Sequence, residues 1–492
     1  MDNAAIGVVG GSRRWLALSV IVLAQFMVVL DIAIVNVALP AIKRDLHFSQ
    51  ETLQWVISAY AILFGGFLLL GGRFADIFGR RRLFVLGLAL FTGSSLLCGL
   101  SWSEGSLIAF RAVQGLGGAL LAPAALSILS TTFSEGRERN VALGIWGAAS
   151  GSGGAAGVLL GGVLTSYLSW CWIFFINIPV GAAVLVLTPW LLDESRSELR
   201  HRHFDVAGAA SVTTGVMLLV YALTLAARDG WASGTTLAMV AASAVLLGAF
   251  VLIELRSAAP VLPMRIFRLR TVAAGNTTAL LISAVGFSQF FLLTLYMQQV
   301  LHYSAVQTGV AFAATTLTIV VFANVAQKLV TRVGVRSVLI AGLLLTAVAE
   351  GLLAQLPLHG HYFWDLLPAF VLSGVGLALS FIPMTIAGLT GVRGADAGVA
   401  SGLINASRQI GGAIGLAAVS TIAAAYTNQG GGLSNSLADG ELTHGFDVAF
   451  WGLTGVALVG ALLAAMLLAP QQRAAEIEAV TTDTFEPVEE AA

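Results

Sequence analysis

Apolar runs recur along the whole chain, separated by short polar or basic segments. They fall at 15–39, 52–71, 83–100, 105–129, 140–165, 171–192, 206–226, 235–255, 272–299, 306–329, 336–356, 365–388, 399–425 and 447–469. At ~1.5 Å per helical residue each is long enough to cross a hydrocarbon core ~30 Å thick. The pattern therefore predicts an all-α integral membrane protein with fourteen spanning helices. Twelve is the competing count. It requires 206–226 and 235–255 to stay out of the membrane, although both are long and apolar enough to cross it.

Composition agrees with a membrane chain. Charged residues make up 10% and hydrophobic residues 57%, against about 25% charged in a soluble domain. The 55 glycines suit close helix packing in lipid. A net charge of −1 gives no footprint for nucleic acid. Cys98 and Cys171 lie in separate apolar runs, so neither a disulfide framework nor a metal site is indicated. The first run follows Arg13 and Arg14, is too long for a signal-peptide core and lacks a small-residue cleavage site. No Gly-rich loop ending in Lys-Ser/Thr occurs, so ATP is not expected as the energy source. No nucleophile–base set stands out, so no enzyme is expected.

The basic residues set an orientation. With the N-terminus inside, 20 of the 25 Lys and Arg fall in inner loops or tails, and only Lys43, Arg44 and Arg228 fall outside. Such a bias predicts that both termini are cytoplasmic. Arg outnumbers Lys 23 to 2, which suggests a GC-rich bacterial genome and hence a multi-pass protein of a bacterial cell (inner) membrane. The tail 471–492 is acidic and expected to be disordered.

An internal repeat organises the runs. Gly72-Arg73-Phe74-Ala75-Asp76-Ile77-Phe78-Gly79-Arg80-Arg81 joins runs 2 and 3, and Gln327-Lys328-Leu329-Val330-Thr331-Arg332-Val333-Gly334-Val335-Arg336 joins runs 10 and 11. The two align without gaps, Gly79 on Gly334 and Arg81 on Arg336. The spacing predicts two six-helix bundles, 1–192 and 272–470, with two extra helices and their loops in 193–271. Parallel halves of this kind place a substrate site between them near the midplane.

Two charges lie deep in apolar runs. Asp31 comes 16 residues after Trp15, which places it ~24 Å into a core ~30 Å thick. An acid there costs roughly 2.5–3.5 kcal/mol on insertion scales and is functional by default. Arg111 lies ~10 Å in from the outer side and Asp31 ~13 Å from the same side, so their depths match.

At these residues the chain resembles the major facilitator superfamily, specifically its fourteen-helix drug:H+ antiporters of the QacA/EmrB kind. Gly72 to Arg82 resembles the superfamily's loop motif between helices 2 and 3, and Arg111 to Ala119 its helix 4 motif. Gly144, Gly153, Gly157, Gly161 and Gly162 match the helix 5 antiporter motif in spacing. The Asp31 segment and Trp170 to Gly181 resemble the helix 1 and helix 6 motifs. Two departures stand out: Val158 where the family usually has Pro, and Cys171 where it usually has a basic residue.

The resemblance implies a major facilitator fold of 6+2+6 helices. It implies a monomeric proton-coupled multidrug efflux transporter, conferring antibiotic resistance by alternating access, driven by the transmembrane proton gradient and needing no cofactor. Its partners would be a small amphipathic drug or antibiotic, protons and the lipid bilayer. Asp31 would take the proton and Arg111 would tune it. Gly72, Arg73, Asp76, Gly79, Arg80 and Arg81 would form a gating hinge. Gly153, Gly157 and Gly161, one stripe of helix 5, would seal against the second bundle. Trp55, Tyr60, Gln114, Gln289, Tyr296, Glu350 and Arg408 are the candidates for a substrate cavity. Two rivals stand beside this reading: a proton-coupled uptake symporter of the same fold, and a receptor or scaffold that transports nothing.

Overall fold

The computed structural model describes residues 11–195, 205–257, 260–427 and 435–468. The acidic tail 471–492 and the basic residues Arg196, Arg200 and Arg202 lie outside the described residues. Among the described residues all regular structure is helical. The long helices are α1 (Gly11–Asp45), α2 (Trp55–Phe78), α3 (Arg80–Gly99), α4 (Glu104–Thr132), α5 (Arg137–Tyr167) and α6 (Asn177–Leu191). They continue as α7 (Val206–Asp229), α8 (Gly234–Arg256), α9 (Arg270–Leu295), α10 (Ala305–Leu353), α11 (Leu367–Leu389), α12 (Ala397–Thr427) and α13 (Asn435–Leu467). Helices are the form in which an apolar run satisfies every backbone group internally, as lipid requires.

Twelve helical stretches among the described residues are long and apolar enough to cross a membrane. They include both 206–226 and Gly234–Arg256. One of the twelve, Val306–Leu353, holds two of the expected runs, because α10 is two helices joined at Gly334, where φ is 86° and ψ 161°. The thirteenth-run helix, α12, is 31 residues long but falls outside the twelve; it carries Asn405, Arg408 and Gln409.

The helices also overrun the apolar runs. The segment Gly72–Arg82, expected as a loop, is helical on both sides of a single residue. α2 continues through Phe78, Gly79 breaks it with φ at 112°, and α3 starts at Arg80. Charged residues end an apolar run but do not end helical hydrogen bonding. Only glycine adopts such a φ readily, so Gly79 and Gly334 turn the chain at equivalent points of the repeat.

Glycines then set the close approaches. A Cβ on Gly87 would lie 2.6 Å from Leu121 N, and one on Gly117 2.6 Å from Phe91 N, so α3 and α4 touch backbone to backbone. In the second half Gly342 and Gly376 do the same between the latter part of α10 and α11. The extra pair α7 and α8 packs together, with α7 against α2 and α12. Met217 and Val220 of α7 fill the gaps left by Gly66 and Gly65 of α2. Trp231, after α7, donates to Thr421 of α12 at 2.9 Å. α7 therefore touches helices that lie far before and far after it in the chain.

Candidate functional site

Asp31 is completely buried where α1, α4 and α6 meet. Its Oδ2 accepts from Arg111 Nη1 at 2.6 Å. Its Oδ1 accepts from Gln114 Nε2 at 2.8 Å and from Asn177 Nδ2 at 3.0 Å. Arg111, itself 1% exposed, also donates to Gln114 Oε1 and to the Val56 carbonyl of α2. Its guanidinium lies 4.4 Å from the centre of the Tyr60 ring, a cation–π contact. Ser95 of α3 accepts from Gln114 at 3.2 Å and from Asn177 at 3.0 Å, and donates to the Phe174 carbonyl.

This wiring fixes the chemistry. Gln114 must aim its NH2 at Asp31, because its carbonyl oxygen already accepts from Arg111. Every donor around Asp31 then points a hydrogen at a carboxylate oxygen. An ionised carboxylate only accepts, so the arrangement fits the charged form paired with Arg111. A proton added to Asp31 would displace at least one of these donors. Removing one partner of a buried pair costs about 3–5 kcal/mol, so the network holds α1, α4 and α6 together while it is intact.

Asp31 and Arg111 match in depth along the sequence, and Tyr60 and Gln114 are separate cavity candidates. The structure gathers all four. It adds Asn177 and Ser95, which sequence reasoning did not single out. Asn177 lies within the quoted helix 6 motif, and an amide in so apolar a run was the available signal; a buried serine carries none.

A second charged cluster lies at the other end of α2. Asp76 is buried and takes Arg80 Nη2 at 2.7 Å. Its carboxylate also accepts the backbone N–H groups of Gly398 and Val399 in the first turn of α12, at 3.0 and 3.1 Å. Arg80 donates onward to the Gly394 carbonyl at 2.6 Å. A Cβ on Gly72 would lie 2.2 Å from the Gly398 carbonyl oxygen, so α2 and α12 meet backbone to backbone. Arg73 is buried within the electrostatic reach of Asp76, Asp396 and Glu254. Arg265 reaches Asp396 at 2.9 Å. Glu254 is 4% exposed and accepts from Val261 and Leu262 N–H. Arg81 faces away from this cluster, toward Glu194 and the Leu192 carbonyl.

The helix 5 glycines require a correction. Gly153, Gly157 and Gly161 do not face the second half. They pack on α1, where Cβ atoms would meet Phe26 O at 3.2 Å, Leu30 O at 2.7 Å and Ile34 O at 3.0 Å. The face toward α10 is formed by Gly144 against Gln327, Gly151 against Ile319 and Leu159 against Gly309. α5 lies between α1 and α10 and needs small residues on both sides; the more regular stripe serves the intrabundle contact, next to Asp31. Gly162 is buried.

The remaining cavity candidates do not form one cluster. Trp55 stacks on Tyr221 of α7 at 5.6 Å. Gln289 of α9 exchanges hydrogen bonds with Ser373 of α11. Tyr296 donates to the Pro357 carbonyl. The Arg408 guanidinium lies 5.1 Å from the Phe381 ring. Glu350 is completely buried, and neither of its oxygens has a hydrogen-bond partner. Among the described residues no group of His, Cys, Asp and Glu could hold a metal ion.

A sequence model described as Major Facilitator Superfamily matches residues 21–416 and 277–490. The puromycin resistance protein pur8 of Streptomyces alboniger is 39% identical over 472 residues, covering 94% of this chain and 93% of its own length. The cephamycin export protein CmcT of Amycolatopsis lactamdurans is 40% identical, covering 90% of each chain. The lincomycin resistance protein of Streptomyces lincolnensis is 33% identical, covering 94% of this chain and 93% of its own. Among solved structures, the human organic anion transporter MFSD10 (TETRAN) overlays with a TM-score of 0.64 at 16% identity, covering 91% of this chain and 98% of that one, which shows the shared fold. The chain belongs to the Major Facilitator Superfamily, alongside these antibiotic resistance and export proteins.

Proposed function

We propose that this protein exports small amphipathic compounds, antibiotics among them, across a bacterial cell membrane in exchange for protons. One observation carries the proton part: Asp31, enclosed within a membrane helix, is held as an acceptor by three donors from two other helices. Protonating it breaks that set and loosens α1 from α4 and α6. The full-length likeness to proteins named for puromycin and lincomycin resistance and for cephamycin export supports outward transport of small molecules. Together with the family fold, this favours export over the uptake and scaffold readings.

The architecture of this reading is fourteen spanning helices in a 6+2+6 order, counting α10 as two and including α12. Both termini are cytoplasmic, the halves are 1–192 and 272–470 with 193–271 between them, and the chain works as a monomer. The Asp76–α12 latch then lies on the inner face and marks a conformer closed to the cytosol. The cycle runs as follows. Drug enters from the cytosol or inner leaflet with Asp31 ionised. Rocking of the halves exposes it outside. A proton reaching Asp31 there weakens the hold on drug, and the return stroke delivers that proton to the cytosol.

Puromycin accumulation in a pump-deficient bacterium expressing the protein tests this. Expression should lower cell-associated puromycin, and a proton uncoupler should abolish the difference. Lowered accumulation that persists with the uncoupler present would overturn proton coupling.

A further inference from the structure

Glu350 is a completely buried acid of the second half, and the network around Asp31 does not use it. The repeat gives it an address. Gly334 follows Gly79 by 255 residues, and both turn the chain with positive φ. Gly342 follows Gly87 by the same 255, and each of the two touches the backbone of the next helix, α11 or α4. The same spacing carried two turns further sets Glu350 on Ser95. Ser95, with Cys98, joins α3 to the Asp31 network. Glu350 thus occupies, in its own half, the station that faces the polar centre in the first.

The surroundings differ in charge. In the first half Asp31 of α1 faces Arg111 and Gln114 of α4; in the second, α9 and α11 meet through the neutral pair Gln289 and Ser373. Glu350 is 0% exposed, and both its oxygens lack a donor. α11, packed against α10, contains no titratable residue. α13, packed on the other side, has Asp439, Glu441, His444 and Asp447 in its N-terminal part and none from Val448 to Leu467. α9 has no charged residue after Arg270, and α10 from Val335 onward has only Arg336, near the far end, besides Glu350. α5, which packs on α10, carries Arg137, Glu138, Arg139 and Tyr167 at its two ends and no titratable residue between Val141 and Ser166. Arg408 of α12 is engaged over Phe381. No ion pair to Glu350 is present among the described residues. A carboxylate without donor or counter-charge in such a place is far costlier than the neutral acid.

We propose that Glu350 is a second proton site of the transport cycle, separate from Asp31. It is the neutral acid in this closed conformer and exchanges its proton with water when the second half opens. The step is protonation alone: H+ adds to the carboxylate from water on one side and leaves to water on the other, with no covalent or redox change. This assignment rests on the proton-exchange reading above.

The test uses purified full-length protein in lipid vesicles, comparing wild type, Glu350→Gln and Glu350→Asp. Infrared difference spectra between acidic and alkaline buffer report protonated carboxyls directly. Protons moved per puromycin are counted in the same vesicles. Glu350→Gln should lose one protonated-carboxyl band and lower the proton count, and Glu350→Asp should retain the band at a shifted position. A Glu350→Gln spectrum identical to wild type overturns the proposal, as does loss of the band with an unchanged proton count. Wild-type vesicles that move puromycin with no protons refute the exchange reading itself; the spectra then still decide whether Glu350 takes up and releases a proton.

Discussion

Asp76 of α2 holds the first turn of a helix more than three hundred residues away: its carboxylate accepts the N–H groups of Gly398 and Val399 at 3.0 and 3.1 Å. The first N–H groups of a helix have no partner within it, and the helix dipole favours an anion there. The bond exists only while α2 and α12 touch at these ends. It therefore stabilises any conformer that brings these two ends together, which a local cap cannot do.

Asp76→Ala should shift the balance away from the closed conformer. Losing a cap of this kind costs about 1–2 kcal/mol. That is a factor of roughly 5–30 in a two-state ratio. Distances between spin labels on the adjoining ends of α2 and α12 should broaden toward longer values. An unchanged distribution would show that the contact does not bias the cycle.

Two neighbouring glycines of α5 should behave oppositely. Gly157→Ala puts a Cβ 2.7 Å from the Leu30 carbonyl and pushes away the helix that carries Asp31. Overpacking of this kind costs about 1–3 kcal/mol. Gly154→Ala meets nothing within 4 Å and should be neutral. Thermal melting in detergent and puromycin export should both fall for the first and hold for the second. Equal behaviour of the two would contradict the assignment of this stripe to α1.

Asn177→Ala removes one of the two donors on Asp31 Oδ1 and leaves Ser95 short of one as well. A buried polar group losing its partner costs about 1–3 kcal/mol. Melting should drop accordingly, and puromycin export should fall with it, because Asp31 is then held by two donors rather than three. Melting and export equal to wild type would contradict the network.

Much of this was readable from the residues. Apolar length gave the helices, since lipid leaves a backbone no other option, and matched depth paired Asp31 with Arg111. The repeat placed Gly79 and Gly334 at equivalent turns. What periodicity could not supply was direction across helices. Gly153, Gly157 and Gly161 share a face by spacing, but spacing does not say whether α1 or α10 fills it. Helix ends were also missed: Gly72 to Phe78 is polar enough to end an apolar run, yet it stays helical, with Asp76 partnered by α12 and by Arg80. Asn177 and Ser95 escaped because a single buried amide or hydroxyl has no pattern of its own.

If Asp31 carries the coupling proton, proton movement driven by a puromycin gradient in sealed vesicles depends on its carboxyl group. Asp31→Asn leaves Arg111 buried without its counter-charge, so Asp31→Glu, which keeps an acid, is measured beside it. Wild type and Asp31→Glu should move equal numbers of protons per puromycin against its flow, and Asp31→Asn fewer. Full puromycin-driven proton movement by Asp31→Asn would contradict that role.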